Sequence, residues 1–365
     1  MKRNLFFIVV LGFAFIFFIG GFLFYLGILL KSSSFRSQES VESYAQVIVE
    51  QCRPPDGQEE NRRIEDTLCM QKELSNIVLR FGSAQAQTAL QFLYDERYVT
   101  LGGCHSLGHT ISRAAVTQRG FEEAFESLSP LCSWGYLHGL FSELHIVNNW
   151  TIDEFVKEGS RLCHSFQAIK PNFLEECLHG LGHGLADFDR NDLISPLQAC
   201  DETSLALRER RWCQAGVFME LANRNFEVPP PRFYKEEDPF YPCGIIPEEY
   251  RWTCYVDVAK RAISAGISYP DVLPICGEVP DQEAQKTCKH QVYGSIAYEP
   301  YSMKAKREAC HSLGEQYFRK CVKGIILTFY QNPVDFGSNA PELFCEQMET
   351  SEDADFCYSA LESYR

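Results

Sequence analysis

Seven of the nine histidines fall between positions 105 and 183. Four of them sit in two nearly identical phrases, His105-Ser-Leu-Gly-His109 and His179-Gly-Leu-Gly-His183, offset by 74 positions. On a helix, residues four apart share a face, so each phrase can offer two imidazoles to one ion. A third phrase, Cys132-Ser-Trp-Gly-Tyr-Leu-His138-Gly-Leu, aligns with Cys177-Leu-His-Gly-Leu-Gly-His183-Gly-Leu and puts His138 in the place of His183. If the three helices stack as neighbours, five imidazoles converge. The expected metal ligands are His105, His109, His179 and His183, with His138 beside them. Imidazole-rich ligation suits Zn, Cu, Fe or Ni, and Mg or Ca least. The HExxH pattern of zinc hydrolases is excluded, because Ser106 and Gly180 occupy the place of its Glu. A c-type haem is excluded by the lack of CxxCH. Two metal-free readings stand beside this one: a structural histidine cluster, and acid–base chemistry.

Neighbouring residues support convergence. Gly108, Gly139, Gly180, Gly182 and Gly184 fall inside the expected helices, where each costs about 1 kcal/mol against Ala. Close backbone approach between helices would offset that cost and draw the imidazoles together. Four positions on from each second histidine stand Arg113 and Asp187. Asp187 can act as a ligand, as a carboxylate that orients an imidazole, or as the salt-bridge partner of Arg113. Glu143, Glu176 and Glu220 are further candidate carboxylates. His290 and His311 read as ordinary surface or turn residues. Cys310-His-Ser-Leu-Gly-Glu315 reads as a degenerate copy of the phrase, and His164 as a fragment of one. No GxSxG, Walker or dinucleotide-binding element occurs in a suitable context, and no catalytic residue is assigned.

The elements that must hold these histidines are legible in the cysteines. From Cys163 onward they recur in pairs: Cys163/Cys177, Cys200/Cys213, Cys243/Cys254, Cys276/Cys288, Cys310/Cys321 and Cys345/Cys357. Members of a pair are 11 to 14 positions apart, and the first members step by 33 to 43. A period near 34 with two helices per unit is the signature of an α-solenoid. The expectation is an all-α chain: an N-terminal transmembrane helix, then a disulfide-stapled array of α-hairpins. Closing a loop of about 12–15 residues is worth roughly 3 kcal/mol by chain entropy, so each staple can support a helix pair too small to be stable alone. Cys52, Cys69, Cys104 and Cys132 are less regular, and their pairing stays open.

Over roughly residues 150–365 this period and cysteine pairing resemble tetratricopeptide-like repeats, especially their secreted, disulfide-bridged relatives. The phrases CHSLGHT and CLHGLGHGL are similar to those of uncharacterised membrane-anchored bacterial proteins, a resemblance that implies no chemistry.

Residues Leu5 to Leu30 form a charge-free apolar run, flanked by Lys2, Arg3, Lys31 and Arg36. A spanning helix needs about 20 apolar residues, whereas a cleavable signal peptide has an apolar core of about 7–15 and a small-residue cut site. Residues 1–36 therefore read as an uncleaved signal anchor and 37–51 as a juxtamembrane segment. The basic flank favours a cytoplasmic N-terminus. The body, carrying all 16 cysteines and no CxxC, suits an oxidising extracytoplasmic compartment. It divides into a His-rich helical half (52–227), a Pro-rich loop (228–242) and C-terminal Cys-paired repeats (243–365). A net charge of −15 excludes a nucleic-acid binder. The expected partners are the membrane, through the anchor, and a protein or peptide ligand on the repeat surface. Three roles fit: metal binding on an anchored array, a metal-free binding scaffold, and a His-ligated metalloenzyme or redox protein. Asn149-Trp-Thr151 matches a glycosylation sequon and is read as a chance match.

Overall fold

The computed structural model describes residues 44–52, 59–99, 101–167, 173–222, 232–235, 237–264, 266–299 and 301–365. The expected anchor at 1–36 and the start of the Pro-rich loop lie outside the described residues. Among the described residues, no helix is long and apolar enough to cross a membrane, and all regular structure is helical.

Residues 44–52 form helix α1. The helices that follow are α2 (Glu59–Phe81), α3 (Ser83–Asp95), α4 (Leu101–Arg119), α5 (Phe121–Glu126), α6 (Leu131–Asn148), α7 (Ile152–Gln167), α8 (Phe173–Ala186) and α9 (Ile194–Asp201). The second half holds α10 (Leu207–Ala222), α11 (Glu248–Ser264), α12 (Tyr269–Gly277), α13 (Gln282–Tyr298), α14 (Met303–Ser312), α15 (Glu315–Gln331), α16 (Pro333–Phe336), α17 (Ala340–Cys345) and α18 (Ser351–Glu362).

Packing sorts them into two layers. Helices α2, α4, α6, α8, α10, α11, α13, α15 and α18 each lie against the next, forming one continuous row. Helices α3, α5, α7, α9, α12, α14 and α17 form a second layer, each against a member of that row. The sequence accounts for the division. Along α8 every residue but Glu175 and Glu176 is buried, because the helix has neighbours on all sides. In α7, Phe155, Val156 and Cys163 are buried while Asp153, Glu154 and Lys157 face solvent, the one-sided pattern of an outer helix. Side-chain caps start several of the later helices: Asp281 accepts from the Ala284 amide, Ser302 from Ala305 and Thr350 from Asp353.

All sixteen cysteines are paired, in eight disulfides. The six pairs expected from Cys163 onward all form, five of them joining an outer helix to the row helix after it. The sixth, Cys243–Cys254, joins the turn before α11 to α11. The N-terminal pairing, open at the level of sequence, is Cys52–Cys69 and Cys104–Cys132. The second of these joins two row helices, α4 and α6, and spans the short α5. Its separation of 28 therefore exceeds the 11 to 17 of the others.

Two apolar clusters fill the interior. One runs from Ala45 to Leu140 and the other from Leu137 to Leu361. They meet on α6, which gives Tyr136 and Leu140 to the first and Leu137, Phe141 and Leu144 to the second. The array also curls back on itself. The Tyr94 hydroxyl near the end of α3 donates to the Tyr298 carbonyl at the end of α13, 204 positions away. Beside it, the Arg97 guanidinium lies 5.1 Å from the centre of the Tyr301 ring.

Candidate metal centre

Adjacent row helices α4, α6 and α8 carry the histidines, and glycines let them come close. A Cβ at Gly108 would stand 2.9 Å from the Tyr136 amide nitrogen, tighter than real Cβ atoms tolerate. One at Gly139 would press on the His109 backbone, and one at Gly182 would overlap the Cys213 carbonyl of α10. The helices approach at backbone distance, as the glycines implied, and their histidines meet in the gap.

All five histidines converge, and all are buried. The His105 ring centre lies 4.8 Å from that of His109 and 5.0 Å from that of His138. His183 stacks on His138 at 5.1 Å and meets His109 edge-on at 4.9 Å. One ring nitrogen from each of His105, His109, His138 and His183 can be chosen so that all four lie within 4.8 Å of one another. His179 borders this group, its Nε2 3.2 Å from His183 Nε2 and its ring 4.7 Å from that of His138. The geometry thus draws His138 into the most compact set and leaves His179 at its edge.

Hydrogen bonds fix two of the rings. The chain enters α6 through three left-handed residues, Cys132, Ser133 and Trp134 (φ 56°, 51° and 62°). The Cys132 carbonyl then receives the His105 Nδ1–H at 2.9 Å. The His183 Nδ1–H donates to Glu220 Oε2 of α10 at 2.8 Å. A carbonyl and a carboxylate can only accept, so both imidazoles carry a proton on Nδ1 and turn Nε2 toward the other rings. A carboxylate behind a histidine is the usual outer support of a metal-ligating imidazole. His138 Nδ1 lies 3.3 Å from His105 Nε2, and its Nε2 lies 3.5 Å from Glu176 Oε2. The Nε2 atoms of His109 and His138 are buried without a hydrogen bond. Leaving such a nitrogen unsatisfied costs about 1–3 kcal/mol.

Burial sets the charge state. Desolvation, with His183 nearby, pushes His105 down to about 3. Desolvation and the mutual repulsion of the imidazoles hold His109, His138 and His179 well below the ordinary histidine value. These rings are neutral at neutral pH, the form that ligates metal. Burial would raise Glu220, but the His183 N–H and the Arg113 and Arg190 guanidiniums outweigh it and keep the carboxyl ionised. Burial and the nearby Glu220 charge raise Asp187.

Fit to an ion can be judged from the spread. Four ligands placed tetrahedrally at the zinc–imidazole distance of about 2.1 Å stand about 3.4 Å apart. The widest pair here, within 4.8 Å, must therefore close by up to about 1.4 Å, which takes rotation of more than one imidazole. No thiolate competes, since every cysteine is in a disulfide.

The remaining sequence candidates also have places. Arg113 is the salt-bridge partner of Asp187, at 3.6 Å, and lies 3.8 Å from Glu143. Arg190, which no spacing singled out, grips Glu220 at 2.6 Å. His145 packs on Phe188, with ring centres 4.2 Å apart. His164 is exposed and bonds the Ser160 carbonyl. His290 meets Tyr293 edge-on and His311 stacks on Phe318, both in the C-terminal repeats. Eight disulfides favour an oxidising extracytoplasmic location. No family model, curated protein or solved structure matches this chain, so the reading of the centre rests on its own geometry.

Proposed function

We propose that this protein binds a transition-metal ion in the knot of imidazoles between α4, α6 and α8. The ligands are drawn from His105, His109, His138 and His183, with His179 as the adjacent reserve. The carrying observation is the set of four buried histidine nitrogens within 4.8 Å, two of whose rings are locked by the Cys132 carbonyl and Glu220. Neutral nitrogen donors with one carboxylate behind them select Zn, Cu, Ni or Fe over Mg and Ca. On this reading residues 1–36 anchor the array to a membrane, with its body on the oxidising side.

A second reading has its own support. His138 Nδ1 and His105 Nε2 are 3.3 Å apart, and His183 and His179 meet through their Nε2 atoms at 3.2 Å. Such contacts can satisfy several ring nitrogens without an ion, and the array would then be a binding scaffold with a histidine core.

Elemental analysis separates the two. The full chain is produced in an oxidising host, and a His105→Ala/His183→Ala variant, shown by circular dichroism to be folded, is carried beside it. Near-stoichiometric metal in the wild type, lost in the variant, is the expected result. No bound metal after incubation with Zn2+, Cu2+, Ni2+ and Fe2+ would leave the scaffold.

A further inference from the structure

One flank of the knot is charged. Toward the C-terminal ends of α8 and α10, side-chain exposure falls stepwise from solvent to the imidazoles. Arg190 and Arg113 are 40% and 35% exposed, Glu143 and Asp187 are 18% and 13%, and Glu220, bonded to His183, is 3%. Glu220 is firmly held between Arg190 and His183. Arg113 is not. Its guanidinium stands 3.8 Å from Glu143, 3.6 Å from Asp187 and 4.0 Å from Glu220, all beyond hydrogen-bond length, and its Nε makes no hydrogen bond. One helical turn inward from Arg113 is His109, whose buried Nε2 has no hydrogen-bond partner.

We propose that this charged column is the route by which the cation reaches the histidines, with Arg113 as its displaceable plug. The inference rests on the metal reading above. Asp187 follows directly on α8 and Glu220 lies in the last turn of α10, so both carboxylates stand at the negative ends of helix dipoles. With Glu143 they form a field that concentrates cations. Arg113 occupies that field without locking into it. A divalent ion outcompetes its single charge, the guanidinium swings to solvent, and the ion passes along the carboxylates to His109 and His183. The opposite flank of the knot offers Glu176, near His138, as the rival route.

Stopped-time uptake of Zn2+ by the chelator-stripped full chain tests this. Glu143→Gln/Asp187→Asn should slow uptake about tenfold at low salt, and the difference should shrink as ionic strength rises. Arg113→Met should speed both uptake and loss to a chelator, while Arg113→Lys should stay near wild type. Variants are compared only where circular dichroism shows the native helix content. Unchanged rates in both the paired-carboxylate and Arg113→Met variants, or slowing confined to Glu176→Gln, would overturn the route. Full zinc content at equilibrium with unmoved rates sinks the route alone. No zinc at equilibrium in the wild type sinks the zinc site and the route together.

Discussion

His183 donates its Nδ1 proton to Glu220 across 2.8 Å, and the same carboxylate receives Arg190 at 2.6 Å. Glu220→Gln keeps an acceptor for the imidazole but removes the negative charge behind it. Loss of such outer support typically weakens metal affinity 10–100-fold, so competition with a chromophoric chelator should show a loss in that range. Acid should act on the metal-free protein as well. The folded state holds His105 down at about 3 and His109, His138 and His179 well below the ordinary value near 6.5. The unfolded chain takes up protons at these four rings as pH falls through 6.5, and the folded chain does not. The contribution of these four rings should be level above that value and fall below it, opposed in part by the single raised carboxyl of Asp187, which takes up its proton in the folded state first. Thermal unfolding between pH 8 and pH 5 in the presence of chelator should show a net loss toward acid. Four of the imidazoles were legible because a spacing of four and a shared Leu-Gly mark one helical face, and His138 because its phrase aligns with that of His183. Arg190 was not, because it reaches the site through a turn outside any helix and carries no periodic signal.

At the scale of the helix, the glycines divide into two kinds. Gly182 faces the backbone of α10, where an added Cβ has no flexible side chain to push aside. Gly294, in the middle of α13, would meet only Thr328 Oγ1 at 3.4 Å. Gly182→Ala should therefore destabilise by about 1–3 kcal/mol or more and lower metal content with it. Gly294→Ala should be neutral or stabilising by up to about 1 kcal/mol. Denaturant titration of the two variants checks the contrast. The glycine-rich histidine helices announced their close packing in the sequence, since several glycines in one helix need a compensating contact. The left-handed entrance to α6 did not, because Cys132, Ser133 and Trp134 are not residues whose type favours that conformation. That turn is what presents a carbonyl to His105.

Across the whole molecule, stability is shared among local units. Cys345 and Cys357 close a loop of 12 at the last helix pair, far from the histidines. Replacing both by Ser should cost roughly 3 kcal/mol by chain entropy, loosen α17 and α18 first, and leave metal content intact. Limited proteolysis and elemental analysis of the same sample would check both halves. The period of the cysteines made this modular plan readable from sequence. The contact of Tyr94 and Arg97 with Tyr298 and Tyr301 was beyond it, because closure depends on small rotations summed over many repeats.

The shortness of the staples also sets an order of birth. Seven of the eight bonds link cysteines 11 to 17 positions apart. A chain emerging N-terminus first into an oxidising space can complete each of these before the next pair arrives, with no wrong partner yet present. The imidazole knot obeys a later clock, since His105 must wait for His183 and then for Glu220. On the metal reading proposed above, a cation is captured only by a molecule whose first four bridges, through Cys200–Cys213, have had time to close, so metal content would stamp the oxidation of the N-terminal half.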